Sequence, residues 1–261
     1  MAKSTENPSP QPVTFNKPKI IFAHGDKGGV GKSMIASAVI DYLDATGQKV
    51  AVIDADTQNP DVSRMFLSEL AGASVPCMKA NLRSENGWMD TMDFVTKHKD
   101  HYVVISMPAG IGEVMNTKNW LAEFRLFLAQ DENPTPIELL WVLNTGLDSV
   151  NLLVNANETY GKHFDAIHVV RNNIWSNADE FTIWNKNPIK IEFEKKGWKT
   201  IDFPALNYRC RDSILGTTKT LPFTLALDSS AAASIGLKSS EIFKLKNWLE
   251  EVASCLKPVF G

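Results

Sequence analysis

The chain has 261 residues, 44% of them hydrophobic and 22% charged, with a formal net charge of −3. That suffices for a buried core, is ordinary for a soluble globular protein, and gives no global reason to expect a nucleic-acid coat protein. No run of about 18 apolar residues occurs, so no transmembrane helix is expected, and three scattered cysteines, Cys77, Cys210 and Cys255, lack metal-ligand spacing and any disulfide framework, which points to a reducing, cytoplasmic setting.

In chain order, residues 1–18 are rich in Pro, Ser, Asn and Lys and carry no apolar h-region, so they read as a flexible arm and not as a secretory signal. "KIIFAHG" (19–25) is a short apolar run ending in glycine, as a buried strand does. "KSMIASAVIDYLDATG" (32–47) follows, with Ile35, Val39, Tyr42 and Leu43 on one helical face and Gly47 as a stop. "KVAVIDAD" (49–56) is a second strand that ends in carboxylates. Strand, glycine-rich loop, helix and strand make one βαβ unit of about 40 residues. Further strands are expected in 101–110, 137–146, 164–173 and 198–206, with helical patterns between most of them and a last amphipathic helix over 239–257. The alternation predicts one α/β domain over 19–261, a mostly parallel twisted sheet with helices on both faces.

The segment between the first strand and helix, "GDKGGVGKS" (25–33), is a phosphate site with a mechanism. Glycines let backbone N–H groups converge as a nest, and the helix N-terminus adds about half a positive charge. Lys32 reaches the β- and γ-phosphates, and Ser33 offers its hydroxyl to Mg²⁺. The common form of this loop has glycine where Asp26 stands. The match is to the deviant form, Lys-Gly-Gly-x-Gly-Lys-Ser/Thr, and there the sequence resembles the ParA/MinD family of P-loop ATPases, of the SIMIBI class, which includes nitrogenase iron protein and arsenical-pump ATPases.

The resemblance implies ATP and Mg²⁺ as cofactors, with Gly28, Gly29, Val30, Gly31, Lys32, Ser33 and Met34 around the nucleotide. It assigns Lys27 a second role. In the family the first lysine crosses a dimer interface to the partner's nucleotide, so Lys27 counts as catalytic and the chain as an ATP-dependent homodimer. The class of contact is that of an arginine finger, worth roughly 10³–10⁵ in rate. A solvated loop lysine is the plain alternative.

"VIDADTQNPD" resembles the family segment in which Asp56 orients the attacking water, with Asp54 beside it as a metal-site neighbour. A ribose contact or a structural cap are the other readings of these acids. "YVVISMPAGIG" resembles the strand followed by Asp-x-Pro-x-Gly, but Ser106 replaces the aspartate. The lost carboxylate normally accepts from magnesium-bound water, so Ser106 is expected to act on the metal through water and hydrolysis to be slow. The resemblance brings the Gly110 N–H to the γ-phosphate.

"VVRNN" places Asn172 near adenine, and "DFPALNYRCRDSI" places Pro204 against the base. Arg209 and Arg211 fall near arginines that some ParA-like proteins use on DNA; ordinary surface charges are the alternative. The lysine-rich stretch 185–200 reads as a solvated helix or hairpin or as an added basic surface. The last helix reads as core packing before membrane binding, and the tryptophans as packing residues before a base-stacking platform. The resemblance implies an ATP-driven switch in plasmid or chromosome partition, conjugative transfer or intracellular positioning, with nonspecific DNA, an unidentified stimulating or adaptor protein and nucleoid association as its companions. A low-turnover nucleotide-binding scaffold, a MinD-like positioning factor without DNA binding, and a P-loop kinase or synthetase are the competing readings.

Overall fold

Apolar runs of five to seven residues, bounded by polar turns, become strands buried on both faces. The computed structural model describes residues 17–67, 75–216 and 220–261. Residues 1–16 of the expected arm lie outside the described residues. Seven strands form one sheet: β1 (Ile20–His24), β2 (Val50–Asp54), β3 (Cys77–Lys79), β4 (Tyr102–Ser106), β5 (Ile137–Leu143), β6 (Ala166–Asn172) and β7 (Thr200–Phe203). Every pairing is parallel, in the order β3-β2-β4-β1-β5-β6-β7. Strand β3 is an addition to the six runs expected from sequence. It is a three-residue edge strand with no fully buried residue, too short for a period to show.

Helices α1 (Lys32–Ala45), α2 (Asp61–Phe66), α3 (Glu85–Lys97), α4 (Gly112–Thr117), α5 (Trp120–Leu128), α6 (Leu147–Thr159), α7 (Thr182–Asn185), α8 (Pro188–Lys195), α9 (Tyr208–Leu215), α10 (Ser229–Ser234) and α11 (Ser239–Phe260) cover the sheet. Parallel strands need such crossovers, and the crossovers bury both sheet faces. Alternate residues of β1 show it: Ile21 and Ala23 face a core built with α1 and α11, while Ile20 and Phe22 face one built with α3, α5 and α6. Helix α11 packs Leu245, Trp248, Val252 and Leu256 into the first core. The lysine-rich stretch folds largely as α8, started by Pro188 and an Asn187 cap, with Ile189 and Phe193 buried. Among the described residues no helix is long and apolar enough to cross a membrane.

The topology fixes where a ligand goes. The chain winds from β1 to one side through β2 and β4, then to the other through β5, β6 and β7. A crevice opens at the carboxyl ends of the strands where the winding reverses, the usual ligand position in open α/β sheets. The loop after β1 lies there.

Candidate functional site

Gly31 enters α1 in the left-handed region, at φ 101°. A Cβ there would lie 2.2 Å from Asn172 Nδ2, so both the torsion and the close neighbour require glycine. Added Cβ atoms at Gly28 and Gly29 would meet only open space, which leaves their backbone bare toward the crevice. Helix α1 has no side-chain cap and no acidic residue in its first turn. By contrast α3, α8, α9 and α10 are capped by Ser84, Asn187, Asn207 and Asp228. Helices α2, α4, α5, α6 and α7 also lack a side-chain cap, but the uncapped N-terminus of α1 is the one that follows the glycine loop and borders the cleft, an arrangement suited to anion binding.

The cleft has a volume of about 460 Å³ and takes in Gly28, Gly29, Gly31, Lys32, Ser33 and Met34 from the loop and first turn. Asp56 and Asn59 border it from the loop after β2, and Ala109 from the loop after β4. Lys32 donates to the Lys27 carbonyl at 2.7 Å, so the ammonium closes back on its own loop. Burial lowers its pKa, opposed by the charges of Asp56 and Asp26. Lys27 is ion-paired with Asp148 in the first turn of α6, and that contact lowers the Asp148 pKa.

Asp56 accepts from the Asn59 N–H at 3.0 Å. Asp54 is buried, and both its oxygens are engaged by backbone, from Asp56 N at 3.2 Å and Ser63 N at 2.8 Å. Burial raises its pKa against those hydrogen bonds. Ser106 stands beside Asp54 in the β2–β4 register, and its Oγ is buried without a hydrogen-bond partner. A polar atom left so is a place for an unseen partner. Of the residues expected at the metal, Ser33 and Asp56 line the cleft and Asp54 and Ser106 do not; all four offer oxygen, the donor type a hard cation such as Mg²⁺ takes. The bare glycines, the uncapped helix and Lys32 suit a polyphosphate.

Three expected residues have additional duties. The Val30 side chain is in the core and its carbonyl accepts from Asn172 Nδ2 at 2.8 Å. The Gly110 N–H donates to the Asp26 carbonyl at 2.9 Å, while Asp26 Oδ1 accepts from Gly112 N at 2.8 Å. Asp26 holds φ 48°, the one non-glycine residue in the left-handed region among those described. It therefore ties the phosphate loop to the loop after β4. Arg83, which no local pattern singles out, donates to the Ala109 and Gly110 carbonyls from the far side of that loop.

A second cavity of about 440 Å³ adjoins the cleft and shares Gly29, Gly31, Met34 and Leu215 with it. Asn172 and Pro204 both line it, and so does Arg211. The Pro204 carbonyl accepts from Trp248 Nε1 at 2.9 Å. Arg209 lines neither cavity and pairs with Glu241 at 2.9 Å. Arg211 pairs with Asp212 at 2.9 Å.

Residues 21–235 match the family described as the CobQ/CobB/MinD/ParA nucleotide binding domain. Protein MobD of Acidithiobacillus ferrooxidans is 30% identical over 252 residues, covering 92% of this chain and 97% of that protein. The iron-sulfur cluster carrier protein of Rickettsia bellii (strain RML369-C) is 28% identical over 140 residues, 43% of this chain and 44% of that protein. Among solved structures, the MinC:MinD cell division protein complex of Aquifex aeolicus aligns with TM-score 0.46 at 15% identity, covering 89% of this chain and 96% of that chain. The chain belongs to the CobQ/CobB/MinD/ParA nucleotide-binding family, with the parallel α/β fold expected of it.

Proposed function

We propose that this member of the CobQ/CobB/MinD/ParA family is a ParA-like ATPase that binds ATP with Mg²⁺, dimerises around the nucleotide and acts as a cytoplasmic switch. DNA partition, conjugative transfer and intracellular positioning are the settings for it. The observation that carries this reading is the uncapped N-terminus of α1 behind bare glycines, with Lys32 and Asp56 bordering one cleft. When bound, ATP supplies a transferable phosphoryl group and Mg²⁺ the positive charge beside it.

The chain's own residues have separable tasks. Amides of Gly28, Gly29, Val30 and Gly31 and the first turn through Ser33 and Met34 hold phosphate oxygens. Lys32 exchanges the Lys27 carbonyl for phosphate. Ser33 would hold the metal through its hydroxyl, and Asp54 and Ser106 would support it through water. Asp56 accepts a hydrogen bond from the attacking water and orients it. Lys27 leaves Asp148 and reaches the partner subunit's nucleotide. Gly110 is carried by the loop after β4, and Asn172 and Pro204 border the base. Residues 19–261 act as one unit, and a stimulating or adaptor protein acts on the dimer. Sequence-independent DNA binding through Arg209 and Arg211, with nucleoid association, belongs to the same reading.

A second reading has support of its own. Ser106 brings no charge to the metal, and each candidate DNA arginine already holds a carboxylate. Both features favour a low-turnover nucleotide-binding scaffold or a MinD-like positioning factor without DNA. ATP turnover by the purified protein, with and without nonspecific duplex, separates them. Turnover that duplex stimulates supports the first reading. ATP binding without turnover or a duplex effect supports the second.

A further inference from the structure

The cavity beside the phosphate cleft is nearly apolar. Apart from the indole N–H of Trp175, its side chains with hydrogen-bonding heads are Asn172 and Arg211. Both are already engaged. Asn172 donates through Nδ2 to the Val30 carbonyl at 2.8 Å and accepts through Oδ1 from Ile174 N at 3.3 Å. Arg211 is paired with Asp212. A ring entering this cavity therefore meets surfaces more than free polar heads, and the largest such surface is Trp175.

Trp175 is out of pattern for this chain. Of seven tryptophans it alone is exposed, at 50%, while Trp88, Trp141, Trp184 and Trp248 are buried. Among the described residues no aromatic ring packs on it; the ring pairs join other residues. Its position is nevertheless fixed. The Trp175 N–H donates to the Asn172 carbonyl at 3.1 Å, so the turn after β6 closes on the same asparagine that braces the phosphate loop. The far end of the segment is pinned by Arg171, which donates to the Ala178 carbonyl at 3.0 Å and to Asn185 Oδ1 at 2.7 Å. Asp202 on β7 holds Arg171 through both carboxylate oxygens, at 2.6 and 2.8 Å. A half-wet indole held on a braced turn at the mouth of an apolar cavity is a preorganised stacking surface.

We infer that Trp175 is the base platform of this chain: the ring of the bound nucleotide stacks on its indole, and stacking, not a free polar side chain, supplies most of the base's hold. The inference rests on the nucleotide reading above and adds to it a residue outside the motifs that carry that reading. Stacking favours the wider purine over a pyrimidine.

Calorimetric titration with MgATP, and separately with inorganic tripolyphosphate as a phosphate-only probe, tests it in the parent, Trp175→Ala, Trp175→Phe and Lys32→Ala proteins. The expected result is about tenfold weaker ATP binding by Trp175→Ala. Tripolyphosphate affinity stays at the parent value, and Trp175→Phe returns to within about threefold of the parent. Trp175→Ala that binds ATP like the parent, while Lys32→Ala does not, overturns the platform and leaves the nucleotide reading standing. Equal loss of ATP and tripolyphosphate affinity in Trp175→Ala and Trp175→Phe also overturns it, since that marks a structural role. A parent protein that binds neither probe sinks both inferences together.

Discussion

The two halves of the crevice are built on different principles. The phosphate half has walls from several segments, Asp56, Arg64, Ala109 and Phe223 among them, but the groups that recognise phosphate charge, backbone amides, a helix end and an ammonium, come from one continuous stretch, Gly28 to Met34. The base half is assembled from four separated segments, near residues 29–34, 172–175, 203–206 and 211–215, and offers mostly apolar surface. Charge can be held by a local motif because N–H groups of neighbouring residues converge in one turn. A flat ring needs walls from several directions, which only the packed sheet brings together. Asn172 joins the halves, with its amide on the Val30 carbonyl and its turn under Trp175.

The sharpest way to break the comparison is at the lysines. Lys32→Ala should abolish ATP binding, because it removes the charge that the phosphate half is built around. Lys27→Ala should leave binding nearly intact and impair ATP-dependent dimerisation, with turnover falling by about 10³-fold or more if the trans role holds. Sedimentation with and without ATP separates the two variants. A Lys27→Ala protein that dimerises with ATP as the parent does removes the trans role.

Next in size is Gly31, where the halves meet. Gly31→Ala forces a side chain into the left-handed region and against Asn172 Nδ2. A loss of roughly 2 kcal/mol or more in folding stability is expected from strain and the displaced hydrogen bond together. Denaturant melts measure it. Gly28→Ala, at a position with open space, should cost much less. Equal losses would mean that the Asn172 contact does not constrain the loop.

A smaller effect is expected at Ser106. Ser106→Asp places a second carboxylate beside the buried Asp54, so it should destabilise the metal-free protein by about 1–3 kcal/mol. Magnesium with ATP should recover that loss and reach half-saturation at a lower metal concentration than in the parent. Unchanged metal dependence would show that another carboxylate already fills the role.

The last expected effect is a pH slope, small over any one pH unit, and it belongs to the phosphate half and the α1 that it opens. His24 is fully buried beneath the loop, and burial together with the Lys32 charge pushes its pKa down to about 3. Its ordinary value is 6.5, so as pH falls below that the unfolded chain takes a proton that the folded chain refuses. Stability then falls toward pH 3, by up to about 1.4 kcal/mol per pH unit. Asp41 on α1 works the other way. Burial raises its carboxyl to about 6 in spite of hydrogen bonds from Thr224, so between about pH 6 and 3.8 the folded state gains the proton and stability on acidification. Asp41→Asn removes this offset. Its melting temperature should fall more steeply between pH 6 and 4 than the parent's; parallel curves would contradict the assignment.

The split between the halves is also the split in what could be read early. "GDKGGVGKS" between an apolar run and a helical period announces a phosphate loop, because torsions, amides and helix end are all local to nine residues. The flanking apolar runs likewise announce a parallel sheet, since burial on both faces leaves a continuous pattern. The edge strand at Cys77–Lys79 escapes because three residues carry no period. Asp26 is visible as a departure from the common loop, but its bond to Gly112 depends on a residue 86 positions away. Arg83 and Trp175 carry no local signature at all. The chemistry of the phosphate half is written in consecutive residues, whereas Trp175 beside Pro204, and Asp148 against Lys27, were decided by strand order and crossovers, which bring distant loops to one end of the sheet.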